Sequence, residues 1–183
     1  MAVTLVKAGP ERLEPGSYPG RMTQIIDLGT QLSEYQGNQR EYRELLTVWE
    51  MSKWKSDGTP FVLSLRCKNS MNPKSRLYSV ISAIMRKTLT TADINQLVLG
   101  NLLDACCLLT VTLEESSSSA HSFNRIVSVS PLPEGLECAP RVNDLVEFGL
   151  EDINDVDLAN KLFPWVKETI SKAKELKTVA LPF

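Results

Sequence analysis

Apolar and polar positions are aperiodic at the amino end of the chain and become regular after it. Residues 1–20 carry Gly9, Pro10, Pro15, Gly16, Pro19 and Gly20 and predict an irregular arm. From Arg21 to Thr30 the pattern alternates. Met22, Gln24, Ile26 and Leu28 fall on one side and Arg21, Thr23, Ile25 and Asp27 on the other, which predicts a strand. Residues 31–41 read as a turn-rich connection with Gly37-Asn38 at its tip. A second strand follows over 42–51, YRELLTVWEM, on its β-branched and aromatic content. The turn Ser56-Asp57-Gly58-Thr59-Pro60 leads into a third strand, 60–68, with Phe61, Leu63, Leu65 and Cys67 inward and Ser64, Arg66 and Lys68 outward. The period then lengthens: Leu77, Val80, Ile81 and Ile84 recur at helical spacing and predict a helix over 74–87, started by Asn72-Pro73. A short turn or helix near 91–97, a fourth strand over 105–113 apolar enough for burial on both faces, a small-polar loop over 116–122 and a fifth strand over 123–131 complete this part.

Three strands, a helix and two strands predict a mainly β fold with helices. Among small β architectures the order matches a five-stranded OB-fold barrel, spanning 21–133, better than a sandwich or an up-and-down barrel. Beyond it, 134–154 is acidic and irregular, with a strand in LVEFGL. The remainder to 183 predicts a C-terminal helical extension: Leu158 and Leu162, Pro164 at a first-turn position, then Val166, Ile170 and Ala173 on one stripe. That stripe docks on the barrel or receives a partner helix.

The chain has 183 residues, 43% hydrophobic and 23% charged, which fits one domain plus an extension and excludes disordered and disulfide-scaffold classes. Cys67, Cys106, Cys107 and Cys138 follow no C-x-x-C spacing and read as reduced thiols without zinc. With no signal-like apolar core and no run of about 20 apolar residues, the expectation is a cytoplasmic protein without a membrane partner. The formal net charge of −2 conceals an asymmetry. Lys53, Lys55, Arg66, Lys68, Lys74, Arg76, Arg86 and Lys87 stand against one acid, Asp57, in 53–87, a local charge of +7. Glu134, Glu137, Asp144, Glu147, Glu151, Asp152, Asp155 and Asp157 stand against Arg141 in 134–157, a local charge of −7. Segregation of this kind is what a patch for a polyanion looks like. The alternatives are two solvated faces, blocks that pair with each other, or an acidic stretch that competes with that polyanion for the basic face.

Catalytic patterns are absent. The one histidine, His121 in SSSSAHS, has no metal-ligand spacing around it, and no nucleophile elbow, Walker loop or G-x-G-x-x-G occurs. The expectation is therefore no enzyme, no metal and no cofactor. A magnesium-dependent nuclease built on Glu151, Asp152, Asp155 and Asp157 is the enzymatic rival, although acids also suit the start of a helix. Binding chemistry is better represented, because single strands are held by a basic groove along the phosphates and by aromatic faces on which bases stack. Candidate contacts are Tyr35 and Arg40 in the first connection, Tyr42 and Arg43 on the second strand, and Lys53, Trp54 and Lys55 in the turn after it. Arg66 and Lys68 on the third strand, Arg21 on the first, and Lys74 and Arg76 at the helix start complete the set. Trp49 is as well explained by core packing.

The runs YPGRMTQIIDLGTQ (18–31), ELLTVWEM, DGTPFVLSLRCKNSMNPKSRL, LLDACCLLTV and NRIVSVSPLPEG resemble a group of bacteriophage OB-fold proteins regarded as single-stranded DNA-binding proteins of replication and recombination. The likeness covers 18–135 and lies in hydrophobic and turn positions. It implies coating of single-stranded DNA without sequence preference or catalysis, with replication or recombination proteins as further partners. It also implies that basic and aromatic positions of the first three strands, Arg21, Arg43, Trp54, Arg66 and Lys68, hold the DNA. Leu181-Pro182-Phe183 resembles the Pro-Phe tip by which bacterial single-stranded DNA-binding proteins recruit enzymes, but Lys177-Thr178-Val179-Ala180 stand where those tips are acidic. A rival reading is an OB-fold protein-interaction or assembly module of a replisome or virion. Pairing across an exposed strand edge would make a homodimer.

Overall fold

The computed structural model describes residues 10–35, 37–116 and 122–177; His121 and Leu181-Pro182-Phe183 lie outside the described residues. The fold is mainly β with helices, as expected. Its strands are β1 (Gly16–Tyr35), β2 (Asn38–Trp54), β3 (Pro60–Lys68), β4 (Cys106–Glu115), β5 (Ser122–Pro131) and β6 (Val146–Phe148). They form one six-stranded sheet, in which five strands run antiparallel in the order β3-β2-β1-β4-β5 and β6 lies parallel to β1. Helices α1 (Arg76–Met85) and α2 (Thr91–Asn95) connect β3 to β4, and α3 (Val156–Asn160) and α4 (Pro164–Ser171) follow β6. No ladder joins β3 to β5 among the described residues, so the sheet is open there, and α1 lies against β3, β4 and β5.

β1 and β2 are longer than their sequence pattern predicts. The Gly/Pro-rich residues 16–20 are strand rather than arm because β4 supplies a partner, from Gly16 opposite Val111 to Arg21 opposite Cys106. A Cβ at Gly20 would come within 2.5 Å of Leu109 Cδ1 and 3.3 Å of Met51 Sδ, so a larger residue there would have to displace core side chains. The connection at 31–41 contracts to residues 36 and 37, with Gln31 to Tyr35 paired against Tyr42 to Asn38. This end of the hairpin is largely exposed on both faces, so no buried side imprints a period-two signal on it.

Every side chain of β2 from Leu45 to Met51 is buried. Leu45, Trp49 and Met51 face a first core shared with Leu77, Val80 and Ile81 of α1 and with Leu109, Val111 and Ile126 of β4 and β5. Leu46 and Val48 face a second core shared with Val146 and Phe148 of β6 and with Leu162, Val166 and Ile170 of the C-terminal segment. A register shift between Met22 and Gln24 changes the phase of β1: Met22 joins the first core, while Ile26 and Leu28 join the second. The uniform alternation predicted for 21–30 is corrected by this bulge, which places one extra residue on β1.

The helix ends follow local chemistry. Ser75 caps α1 by accepting from the Tyr78 N–H at 3.2 Å, and Pro164 occupies the first turn of α4 as expected. Polar contacts fasten the later segment to the sheet. The buried Glu50 carboxylate accepts from the Val142 and Asn143 N–H groups at 2.9 and 2.8 Å and from Asn143 Nδ2 at 2.6 Å. Ser52 Oγ accepts from the Ala139 N–H at 2.8 Å. Glu175 accepts from the Thr30 N–H and Oγ1 at 2.9 and 2.6 Å. Glu50→Ala therefore loosens residues 139–143 and lowers stability by about 1–3 kcal/mol, the cost of deserted hydrogen-bond partners. Thermal denaturation checks this, and an unchanged Tm would show that the carboxylate does not hold the segment.

Candidate nucleic-acid interface

The β2–β3 ribbon carries most of the candidate contacts. Facing residues of an antiparallel pair point the same way, so Arg66 and Lys68, opposite Leu46 and Glu44, lie on the face of the ribbon that carries the second core, and Tyr42 and Arg40 continue that face by alternation beyond the buried Leu46. Trp54 is opposite Pro60, which belongs to the same alternating series of β3 as Arg66 and Lys68. The two groups nevertheless lie at opposite ends of the ribbon. Ten residues separate Glu44 from Trp54 along β2, about 30 Å at about 3.3 Å per residue. Lys53, Trp54 and Lys55 form one end, with Trp54 45% exposed, and Arg40, Tyr42, Arg66 and Lys68 form the other. Lys74 and Arg76 stand at the start of α1 and line a cleft with Leu65, Val80 and Val127. Tyr35 ends β1 opposite Asn38; its side chain lies outside the described residues.

Three arginines of the candidate set are engaged with acids. Arg66 pairs with Glu44 across the ribbon. Arg43 pairs with Asp27 on the other face of β2 and borders a cleft with Glu147, Glu151 and Asp152, so the fold does not bring it to the Tyr42–Lys68 face. Arg21, with 19% of its side chain exposed, bonds the Asp104 carboxylate at 3.0 Å, the Asp104 carbonyl at 3.2 Å and the Ala139 carbonyl at 3.3 Å. It joins the β4 start to the acidic segment. By contrast Lys53, Lys55, Lys68, Lys74 and Arg76 take part in no ion pair among the described residues. Lys68 Nζ lies 3.3 Å from the Tyr42 ring centroid, a cation–π contact that covers one ring face. A hydrogen bond from Arg40, with Lys68 adding to it, lowers the Tyr42 phenol below its ordinary value. Trp49, by contrast, is a core residue whose Nε1 donates to Thr47 Oγ1 at 2.9 Å.

A groove of about 930 Å³ lies beside the outer edge of β3, between Phe61–Ser64, Lys55, Arg12, Phe123 of β5 and Trp165 of α4. Phe123 and Trp165 are 44% and 45% exposed, and sequence reasoning missed both. The signal was present in α4: Val166 and Ile170 form its buried stripe, and Trp165 stands about 100° away from Val166 around the helix.

Three of the four thiols are poor nucleophiles. Burial pushes Cys67 up to about 11 and Cys107 and Cys138 up to about 12, so these three stay protonated at neutral pH. No group of three or more His, Cys, Asp or Glu side chains among the described residues could hold a metal ion. No described helix is long and apolar enough to cross a membrane. Neither a family model nor a curated protein sequence matches the chain.

The Tyr42 phenol is expected to ionise below the ordinary tyrosine value, and Lys68→Met to move it upward. Ultraviolet difference titration against Tyr42→Phe checks this; an unmoved phenolate transition would separate Lys68 from the ring.

Proposed function

We propose that this protein is a non-enzymatic, sequence-independent single-stranded DNA-binding protein of the phage replication and recombination type, on an OB-type barrel opened at the β3–β5 seam. Three features support the reading: the resemblance over 18–135, the strand path β3-β2-β1-β4-β5 with a helix between the third and fourth strands, and the charge layout. The charge layout carries it. No ion pair among the described residues joins the basic block 53–87 to the acidic block 134–157. Within the sheet, β2 and β1 lie between β3 and β6.

Lys53, Lys55, Lys68, Lys74 and Arg76 meet phosphates along β3 and at the start of α1, and Trp54 offers a ring for a base. Release of counterions from four or five phosphates sets a log affinity against log salt slope of about −3, at about −0.7 per phosphate. Titration with oligo-dT at several salt concentrations tests this. The slope is expected to shrink by about 0.7 for each of Lys68→Met, Lys74→Met and Arg76→Met, and a flat salt response would overturn the reading. Trp54→Ala is expected to weaken oligo-dT binding about five- to a hundredfold with an unchanged Tm. A lowered Tm with intact binding would make Trp54 a packing residue.

A further inference from the structure

We infer that the groove beside β3 is a nucleobase-stacking site in which Trp165 of α4 and Phe123 of β5 receive bases of the strand whose phosphates the basic residues hold. The inference deepens the single-strand-binding reading and rests on it, and it makes the C-terminal segment part of the binding surface.

Trp165 is exposed although the helix that carries it is firmly seated: Val166 and Ile170 are fully buried in the second core. Its ring lies nearly parallel to that of Phe163, with an interplanar angle of 9° and centroids 6.4 Å apart, and Phe163 is itself 37% exposed. Contact with a neighbouring ring limits the rotation of Trp165 before any ligand arrives, so less freedom is lost when a base stacks on it. Phe123 of β5 supplies a second exposed ring to the lining. The groove is continuous with Lys53-Trp54-Lys55, because Lys55 lines it, with Nζ 5.8 Å from the Phe61 ring centroid.

The groove's own charges balance. Arg12 and Lys55 form no ion pair among the described residues, while the carboxylates of Glu11 and Asp57 are turned toward donors. Glu11 accepts from the Ser56 N–H and Oγ at 2.9 and 2.8 Å, and Asp57 from the Thr59 N–H and Oγ1 at 2.9 and 2.6 Å. A balanced groove walled by exposed rings suits the planar, uncharged part of a nucleotide, and the phosphates lie with the unpaired lysines outside it. Base–aromatic stacking is tolerant of sequence, in keeping with a strand held without base readout. Among the described residues no strand pairs with β3 on this side, which leaves its outward peptide groups to meet base edges.

Two readouts separate this site from the phosphate contacts. Trp165→Ala is expected to weaken oligo-dT binding about five- to a hundredfold while leaving the salt slope and the Tm unchanged. In Trp54→Phe the remaining tryptophans are Trp49, which is buried, and Trp165, so quenching on addition of oligo-dT reports Trp165 and is expected to vanish in Trp54→Phe/Trp165→Phe. Phe123→Ser, on a different element, is expected to weaken binding in the same way and guards against a folding defect in α4. Wild-type affinity in Trp165→Ala and Phe123→Ser, or unquenched emission from Trp54→Phe with oligo-dT bound, overturns the stacking site and leaves the single-strand reading standing. Absence of oligo-dT binding by the wild-type protein at low salt overturns both.

Discussion

The double-sided burial of β2 is the constraint on which the rest of the structure depends. From Leu45 to Met51 no side chain reaches solvent, so a helix layer on one face alone would leave Leu46 and Val48 in water. At about 25 cal/mol for each Å² of apolar surface, that exposure outweighs any single polar contact in the molecule. Two layers are therefore obligatory: α1 closes one side, and the segment containing β6 and α4 closes the other. The polar members of the run are reconciled with burial individually. Thr47 donates to the Leu65 carbonyl at 3.3 Å and accepts from Trp49, and Glu50 spends its carboxylate on N–H groups of the covering segment.

Covering the outer face of β1 and β2 relocates the available surface to β3, its flanking turn and the start of α1. Charge follows the same division. Arginines of the candidate set next to the covered region, Arg21 and Arg43, are tied to Asp104 and Asp27 and act as fasteners. The bases left over belong mainly to lysine, whose flexible stem and compact charge suit loose tracking of phosphates better than fixed bidentate recognition. Under the proposed function, a surface of this kind would read polymer charge rather than base identity.

Much of this was legible in the residues. The predicted alternation survived from Ser64 to Lys68, where β3 has one wet face and one dry face, but not at Val62 and Leu63, both half-buried with Val62 against the second core; Pro164 marked its helix start by chemistry that needs no tertiary context. The flanks of β1 and β2 were not legible. Residues 16–20 are held by β4, a partner some ninety positions away, and the largely exposed residues beyond Gln31 have no core side to set a rhythm. The phase change at Thr23 depends on which core is nearer, and composition does not record that. Arg43 and Tyr42 are chain neighbours with similar credentials, yet the pleat sends one to Asp27 and the other to Lys68. Trp165 was hidden by its neighbour Val166: a stripe that docks a helix draws attention from the ring just beside it.

The short strand β6 has a consequence for the order of assembly. Gln24, Ile25 and Ile26 take Val146, Glu147 and Phe148 as their neighbours, across a chain separation of some 120 residues. During synthesis that stretch of β1 stays an open edge until nearly all of the described fold has left the ribosome, and closing so long a loop is slow relative to hairpin formation. Until β6 is made, that stretch of β1 is an unpaired border of the kind that invites association with other chains.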